Sequence, residues 1–475
     1  MIGGLVKWLK GVHDGRSAYL GKEDTPSLAG TWDPPYTPNS AILGDRQAVN
    51  NRVRQLVRKM PWLEGALEAS VCYKVGDGFT HKPCVENEGG DADDSTNRML
   101  RDAFARWSEA AEANGQDTLA DIQQLVCRQM IECGESLVLM RLSPKRDFTL
   151  QVMEPDCLQT TNPGIDIDQG IQYDSETNRP LKYFLRGLDS TPEISAKEYE
   201  WPARNVIHLF SRLRPWQRRG ISPLAQTIML AGDLGEYLAN ELAAQQMASR
   251  YLAFVTDPSA DAVNFEQKAR KVLYNLTIEF LPPGKSVQLA PGGNRPTLGV
   301  ETFQNIFLRI LSVKLKTPFH VISGQYANMN YNTLREVRNS TIHLLKKDWG
   351  YFSRHFLDRV YREWLDHSVL KGDLTLKGYW DKGGREHYQR CWWMPPGIES
   401  VDILRDVQGV IMGKAAGIYD PQDWIMGGGD DPEAVVSGIA EFDRLLKSHG
   451  LAIADPSAAI GASSGSSSSK GEEEE

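Results

Sequence analysis

Apolar residues recur at helical spacing along most of the chain. In Asp45–Lys59 the apolar positions fall on one face of a helix, and Pro61 would end it. Thr118 can cap a second helix, and Ser222 followed by Pro223 gives a clear start to a longer one. Further helices are predicted over residues 97–114, 118–133, 222–250, 264–276, 301–315, 333–367, 400–413 and 431–449.

Alternating apolar and polar residues predict strands between these helices. The region 148–210 has the pattern of a sheet, and the turn Asp174–Pro180 separates two alternating runs, which favours a hairpin. Other strands are predicted over 136–142, over 251–255 and within 374–394. A compact enzyme rarely needs helices as long as those predicted, whereas an elongated subunit of an assembly does.

Both ends of the chain differ from its middle. Residues 1–44 are predicted to form an extended N-terminal arm. Its residues 1–12 fit either an amphipathic segment that docks on a neighbouring surface or a short membrane-surface helix. Residues 451–475, rich in Ser, Gly and Glu, are expected to be disordered. No run approaches the roughly 20 apolar residues of a transmembrane helix.

The composition is that of a globular protein. The 475 residues are 41% hydrophobic and 24% charged, which excludes a collagen, a wholly disordered chain and a bundle of membrane spans. The six cysteines include no CxxC pair and no zinc-finger spacing, so we expect them to be reduced. The net charge of −9 argues against a generally basic nucleic-acid binder.

Charge is distributed unevenly along the chain. Residues 299–366 carry 10 basic and 6 acidic residues, whereas residues 399–450 carry 4 basic and 10 acidic residues. A basic cluster also surrounds Trp216, and such a cluster can hold phosphates without reading bases. A solvated turn, or salt bridges between subunits, would give the same pattern. The cluster consists of Arg212, Arg214, Arg218 and Arg219.

No catalytic motif is complete in this sequence. The string Pro283–Ser286 looks like part of a phosphate-binding loop, but Glu279 stands where that loop needs its first glycine. We therefore predict no enzyme activity and no cofactor. Two alternatives stay open. One is a structural adaptor that forms no ring, and the other is a metal-dependent nuclease with Glu154, Asp166 and Asp168 as metal ligands.

Several strings occur in an order that is typical of one protein family. The longest begins at Trp201 and includes Arg214-Pro215-Trp216-Gln217-Arg218-Arg219-Gly220-Ile221-Ser222-Pro223-Leu224. The others are Val75–Gly78, Gly134–Leu137, Gly170–Asp174 with Arg179–Tyr183, Thr317–Phe319 with Ser323–Gly324 and Asn330–Arg335, and Trp393–Gly397 with Asp402 and Gly413–Gly417. Together they resemble the lambda-like family of portal proteins of tailed bacteriophages over roughly residues 45–450.

The resemblance implies an α+β fold of the portal type, an elongated subunit with an α/β wing, a two-helix stem, a small α/β clip, a long channel helix and a helical crown. It also implies a homo-oligomeric, dodecameric ring at one capsid vertex, through which double-stranded DNA is packaged and ejected. The implied segments are the wing (45–221 and 368–396), the stem helices (222–250 and 301–316), the clip (251–300), the tunnel loop (317–332), the channel helix (333–367) and the crown (397–450).

Partners and site residues follow from the same resemblance. The implied partners are DNA, the terminase large subunit, the major capsid protein with its scaffold, and a head-completion or adaptor protein. The implied location is the capsid vertex of the virion, after assembly in the host cytoplasm. The tunnel loop would touch DNA through Ile322, Ser323, Gln325, Tyr326, Asn328, Asn330 and Tyr331. Phosphate repulsion would be offset by Lys314, Lys316, Arg335 and Arg338.

Overall fold

The chain folds into two units that both contain helices and strands. A computed structural model describes residues 37–143, 147–158, 167–186, 198–256, 271–273, 276–281, 298–327, 329–398 and 402–451. The first unit comprises residues up to Gly78 and Asp102–Gln389, and the second comprises Phe79–Arg101 and the residues from Arg390 onward. The predicted α+β class is therefore confirmed.

The described elements follow the chain in this order. The helices are α1 (Pro38–Lys59), α2 (Pro61–Lys74), α3 (Asp94–Ser108), α4 (Leu119–Glu132), α5 (Ile228–Arg250), α6 (Leu298–Leu315), α7 (Phe319–Ser323), α8 (Tyr331–Phe352), α9 (Asp358–Lys371), α10 (Gly384–Tyr388), α11 (Ile403–Ala415), α12 (Pro421–Gly427) and α13 (Pro432–Ser448). The strands are β1 (Thr80–Pro83), β2 (Glu135–Leu142), β3 (Phe148–Met153), β4 (Ile167–Asp168), β5 (Ile171–Tyr173), β6 (Pro180–Arg186), β7 (Glu198–Pro202), β8 (Val206–Phe210), β9 (Tyr251–Thr256), β10 (Lys271–Leu273), β11 (Leu276–Leu281) and β12 (Cys391–Met394).

Helix α1 begins at Pro38, earlier than the predicted start near Asp45. Thr37 caps it, because its Oγ1 accepts the backbone N–H of Ser40 at 3.2 Å, and a proline fits the first helical turn. The end of the predicted extended arm is therefore helical, and residues 1–36 lie outside the described residues. The predicted capping of α4 by Thr118 is confirmed.

Five helices of the first unit share one apolar core. Helices α1, α2, α4, α5 and α6 contribute buried side chains to it, and Val53, Leu67, Leu234 and Phe307 are fully buried. Burying each such side chain contributes roughly 1.5–3 kcal/mol. Helices α8 and α9 continue through a π-helical turn at Ser353–Leu357, which confirms the predicted long helix. No helix among the described residues is long and apolar enough to cross a membrane.

Besides the sheet formed by β9, β10 and β11, the described part of the first unit contains two antiparallel sheets. One has the strand order β3-β2-β8, with Glu135 of β2 opposite Phe210 of β8. The other has the order β4-β5-β6-β7 and contains the predicted hairpin between β5 and β6. In its turn, the Asp174 side chain accepts the backbone N–H groups of Glu176 and Thr177.

The structure corrects four of the predicted elements. The predicted helix 264–276 is wrong at its end, because β10 and β11 are strands that pair with each other, and β11 also pairs in parallel with β9. Residues 264–270 lie outside the described residues. The predicted tunnel loop (317–332) contains helix α7, the region 374–394 contains helix α10 besides strand β12, and the helix predicted over 97–114 ends at Ser108.

The second unit buries a histidine beside its two-stranded sheet. His81 of β1 stands opposite Trp393 of β12, and their ring centroids are 5.0 Å apart. Burial, reinforced by the charge of Arg101, lowers the pKa of His81 from its ordinary value to about 3. The ring is therefore neutral in the folded unit at neutral pH.

Acidification is expected to weaken the second unit through His81. The folded pKa is below the unfolded value of about 6.5, so the unfolded chain takes up the proton first and stability falls with falling pH. The free energy of unfolding is expected to be about 2 kcal/mol lower at pH 5 than at pH 7. Thermal unfolding of wild type and His81→Phe at both pH values checks this, since the variant should lose that part of the pH dependence. Equal pH dependence in both proteins would contradict it.

Candidate functional site

A buried ion pair joins strand β2 to the segment that leads into helix α5. Glu135 and Arg219 are fully buried, and the guanidinium Nε and Nη2 donate to the two carboxylate oxygens at 2.9 and 2.6 Å. The guanidinium also donates to the carbonyl oxygens of Gln169 and Pro155, while the backbone N–H of Gly220 donates to Glu135. Such a bidentate, further hydrogen-bonded pair offsets much of the cost of burying two charges.

More titratable groups surround the same carboxylate. His208 Nε2 lies 3.1 Å from one oxygen of Glu135, and Arg46 Nη1 lies 3.2 Å from the other. Burial opposes ionisation of Glu135, but Arg219 and the hydrogen bond from His208 more than offset it and hold the pKa of Glu135 well below its usual range. Burial lowers the pKa of His208, so its neutral ring donates to the carboxylate. Arg46 also reaches Asp156, which extends the network.

Two glycines let the backbones touch beside this ion pair. Gly134 has a φ of +79°, and a Cβ there would lie 2.0 Å from the carbonyl carbon of Ile221. A Cβ on Gly220 would lie 2.1 Å from the carbonyl oxygen of Gly134. Ser222 follows, and its Oγ donates to the carbonyl oxygen of Ile131 at 2.8 Å. We call Gly134, Glu135, Arg219 and Gly220 the stem anchor, because they fix the chain where it enters the predicted stem helix.

The structure divides the predicted basic cluster. Arg219 belongs to the buried stem anchor, so it does not reach the surface with the other three arginines. Arg218 is half-buried, lies over the Tyr173 ring at 4.1 Å and donates to Asp168 at 2.9 Å. Arg212 and Arg214 are exposed. A single phosphate-binding surface made by all four side chains is therefore excluded, because Arg219 is buried and Arg218 is paired with Asp168.

The tunnel-loop residues occupy three different settings. Half-buried Ile322 and Ser323 lie in helix α7, and Ile322 packs against the helical core. Asn330 Oδ1 caps helix α8 by accepting the backbone N–H of Thr333 at 2.9 Å, and Tyr331 is the first residue of that helix. Asn328 lies outside the described residues. Gln325, whose Nε2 donates to Asn305 at 3.0 Å, and Tyr326 are exposed between these two helices, and Asn330 is exposed as well.

The predicted basic residues of the stem and channel differ in their environments. Lys314 Nζ donates to Gln226, and Lys316, at a φ of +58°, forms an ion pair with Asp348. Asp348 also lies 3.7 Å from Lys74 Nζ, so its charge is shared between two lysines. Arg335 is exposed and Arg338 is half-buried on helix α8.

Sequence reasoning missed two further lysines on the same helix. Lys346 and Lys347 are both exposed on α8. The surplus of basic residues over 299–366 is the sequence feature that could have identified them as candidates.

The alternative of a nuclease requires free carboxylates as metal ligands, but the two that the structure describes are paired with arginines. Arg54 Nη2 donates to Glu154 at 2.6 Å, and Arg218 Nη1 donates to Asp168 at 2.9 Å. Asp166 lies outside the described residues. Within the described ranges, no group of three or more His, Cys, Asp or Glu side chains is arranged to hold a metal ion.

Known proteins similar to this chain come from phages and phage-like particles. A probable portal protein of Halomonas phage phiHAP-1 is 24% identical over 401 residues, covering 79% of this chain and 75% of the relative. Portal protein B of Escherichia phage lambda is 22% identical over 486 residues, covering 90% of this chain and 88% of the relative. The portal protein of Escherichia phage N15 is 21% identical, with the same coverage.

Solved structures and a family description also match. A chain from the neck of an empty gene transfer agent (GTA) particle has a TM-score of 0.41 and 13% identity, covering 85% of this chain and 97% of that chain. A chain from the virion of a native GTA particle has the same TM-score and 14% identity, covering 85% and 95%. The description "Phage portal protein, lambda family" matches residues 25–344, which is more than half of the sequence. The chain therefore belongs to the lambda family of phage portal proteins.

Proposed function

We propose that copies of this chain form a dodecameric ring at one capsid vertex and that double-stranded DNA passes through the centre of the ring during packaging and ejection. The family match over residues 25–344 carries this proposal, and it confirms the portal function expected from the resemblance. It also supports a structural rather than an enzymatic role. Assembly of the ring takes place in the host cytoplasm before the virion is complete.

The crown helices supply a physical reason for assembly. Among the described residues 402–451, the buried side chains are Asp431 and Pro432, so the large apolar side chains of these helices are at most half-buried within one chain. Helix α13 exposes four apolar side chains at helical spacing: Val436, Ile439, Phe442 and Leu445. A contiguous apolar stripe marks an interaction surface, and in a ring each copy can cover the stripe of its neighbour.

Charged side chains on this stripe should prevent stable ring formation. In Ile439→Glu/Phe442→Glu, two carboxylates would have to be buried between copies, so we expect at least a tenfold loss of ring in favour of monomer. Size-exclusion chromatography with light scattering measures the ratio. Ser437→Glu/Ser448→Glu, on the opposite face of α13, carries the same charge change, is the matched control and should assemble normally. A full yield of rings from the stripe variant would contradict this role of the crown.

The exposed basic face of α8 is the surface that we propose meets the DNA. Arg335, Lys346 and Lys347 are exposed on this helix, while Lys316 is paired with Asp348 and therefore contributes less. The exposed Gln325 and Tyr326 extend this surface at the tunnel loop. Amide, phenol and flexible lysine groups can contact phosphates in any register, which suits DNA that must slide.

Reversing two of these charges should impair DNA packaging without affecting ring assembly. Lys346→Glu/Lys347→Glu replaces phosphate attraction with repulsion, and we expect roughly tenfold less nuclease-protected DNA per particle. Lys377→Glu/Lys382→Glu carries the same charge change at two other exposed lysines and serves as the control. If assembled particles that carry the α8 variant packaged a normal amount of DNA, α8 would not contact the DNA during packaging.

The partners of the ring are also proposals. The clip, of which β9, β10 and β11 are described, would bind the terminase large subunit during packaging and the head-completion or adaptor protein afterwards. The wing would meet the major capsid protein, with scaffold guiding assembly. These assignments are based on family membership.

A further inference from the structure

The loop before the stem anchor is built to present two apolar side chains to solvent. Trp216 is 73% exposed and Leu213 is 68% exposed. Trp216 also adopts a φ of +65°, a left-handed conformation that is unfavourable for a residue with a Cβ. Strained residues of this kind persist where the surrounding structure holds them, and they concentrate at functional sites.

Two amide side chains hold this loop in place. The buried Gln217 accepts the backbone N–H groups of Leu213 and Arg214 at its Oε1, and its Nε2 donates to the carbonyl oxygens of Ser211 and Arg219. On the other side, Asn39 donates to the carbonyl oxygen of Trp216 at 3.2 Å and accepts the backbone N–H of Arg218 at 3.0 Å. The exposed tryptophan is thus fixed by specific contacts, and those from Asn39 come from the start of helix α1.

The described chain begins close to the exposed pair. Asn39 lies two residues after Thr37, where the described chain begins, and Thr37 enters the helix in an extended conformation (φ −65°, ψ 155°). The residues immediately upstream are Thr31-Trp32-Asp33-Pro34-Pro35-Tyr36. A fully extended chain spans at most about 3.6 Å per residue, so this segment must lie within about 29 Å of Asn39.

We propose that residues 31–36 of the arm dock on Leu213 and Trp216 of the same chain. Two consecutive prolines favour an extended polyproline conformation, and such segments bind aromatic surfaces at low entropic cost. Asp33 complements the charges of the exposed Arg212 and Arg214, which flank the pair. The aromatic rings of Trp32 and Tyr36 add apolar area to the contact. This inference does not depend on the proposed DNA pathway.

A photo-crosslinker at Leu213 tests the docking in the full-length protein. Leu213 is replaced with p-benzoyl-phenylalanine, the purified protein is irradiated, and mass spectrometry locates the attachment point within the tryptic peptide Glu23–Arg46. We expect attachment to residues 31–36 within one chain. The same probe at the similarly exposed Leu370 is the control and should not reach this segment. Attachment only to residues 37–46, to another copy or to another segment would overturn the proposal.

Two variants distinguish docking from chance proximity. Trp216→Ala and Asp33→Lys should each lower the crosslink yield at residues 31–36 about threefold or more, because each removes one component of the contact. Trp392→Ala and Asp24→Lys are the matched controls and should leave the yield unchanged. Equal yields in all four variants would show that Trp216 and Asp33 do not hold the segment, and the proposal would fail.

Discussion

Gly134→Ala is expected to prevent the first unit from folding, with a loss of stability above about 4 kcal/mol. The added Cβ would lie 2.0 Å from the carbonyl carbon and 2.2 Å from the carbonyl oxygen of Ile221, and neither backbone atom can move away as a flexible side chain could. The φ of +79° adds a second, smaller cost. Soluble yield and thermal unfolding of the purified chain measure the effect.

Gly115→Ala separates the two costs in this prediction. Gly115 has a similar φ of +72°, but a Cβ there meets no atom within 4 Å. This control should lose about 1 kcal/mol, the cost of the left-handed backbone alone. If Gly134→Ala were as stable as Gly115→Ala, the close approach of strand β2 to the start of the stem would be disproved.

The second large effect is expected from Arg219→Ala. The substitution leaves the carboxylate of Glu135 buried without its bidentate partner, and breaking a buried ion pair in this way costs about 3–5 kcal/mol. Arg46 and His208 remain near the carboxylate, but each makes one contact to it where Arg219 makes several. Urea unfolding at neutral pH measures the loss. Arg219→Lys should recover little of it, since an ammonium lacks the planar fork that bonds both oxygens.

Arg218→Ala is the matched control for this prediction. Arg218 is adjacent in sequence and also pairs with a carboxylate, that of Asp168, but both side chains are partly exposed. We expect a cost of about 1 kcal/mol or less. Similar losses of stability in the two arginine variants would mean that burial does not determine how much the Glu135–Arg219 pair contributes to stability.

Helices and strands could be predicted where the residues that specify them are close together in the sequence. Helical spacing identified the long helix that becomes α8 and α9, and Thr118 marked the start of α4. Helix α7 was missed although Pro318 and Gly324 flank it, because aromatic and amide residues around it suggested a loop. The predicted helix 264–276 contains all of strand β10 and the first residue of β11, because helical spacing does not show the pairing between strands that forms them.

The stem anchor could not be predicted from periodicity. Its two halves, Gly134-Glu135 and Arg219-Gly220, are far apart in the sequence, and nothing in either pattern indicates that their backbones touch. Arginine is usually exposed, so four arginines near Trp216 favoured a surface cluster. The fold instead uses one of them inside the protein and leaves the tryptophan outside.

Charge arithmetic led only in part to the proposed DNA surface. The basic surplus over 299–366 marked the stretch that contains the exposed lysines of α8, but sequence could not show that Lys316 pairs with Asp348. Burial and pairing decide which charges remain available, and both depend on tertiary structure. For this reason the proposed DNA surface rests on the exposed lysines of α8 rather than on the stem lysines.

Imaging the purified full-length chain by negative-stain electron microscopy, with its mass measured by light scattering, tests the central proposal most directly. We expect closed rings of about twelve copies with a central hole wide enough for a DNA duplex. Monomers or dimers with no hole, especially if they cleave DNA in magnesium, would contradict it.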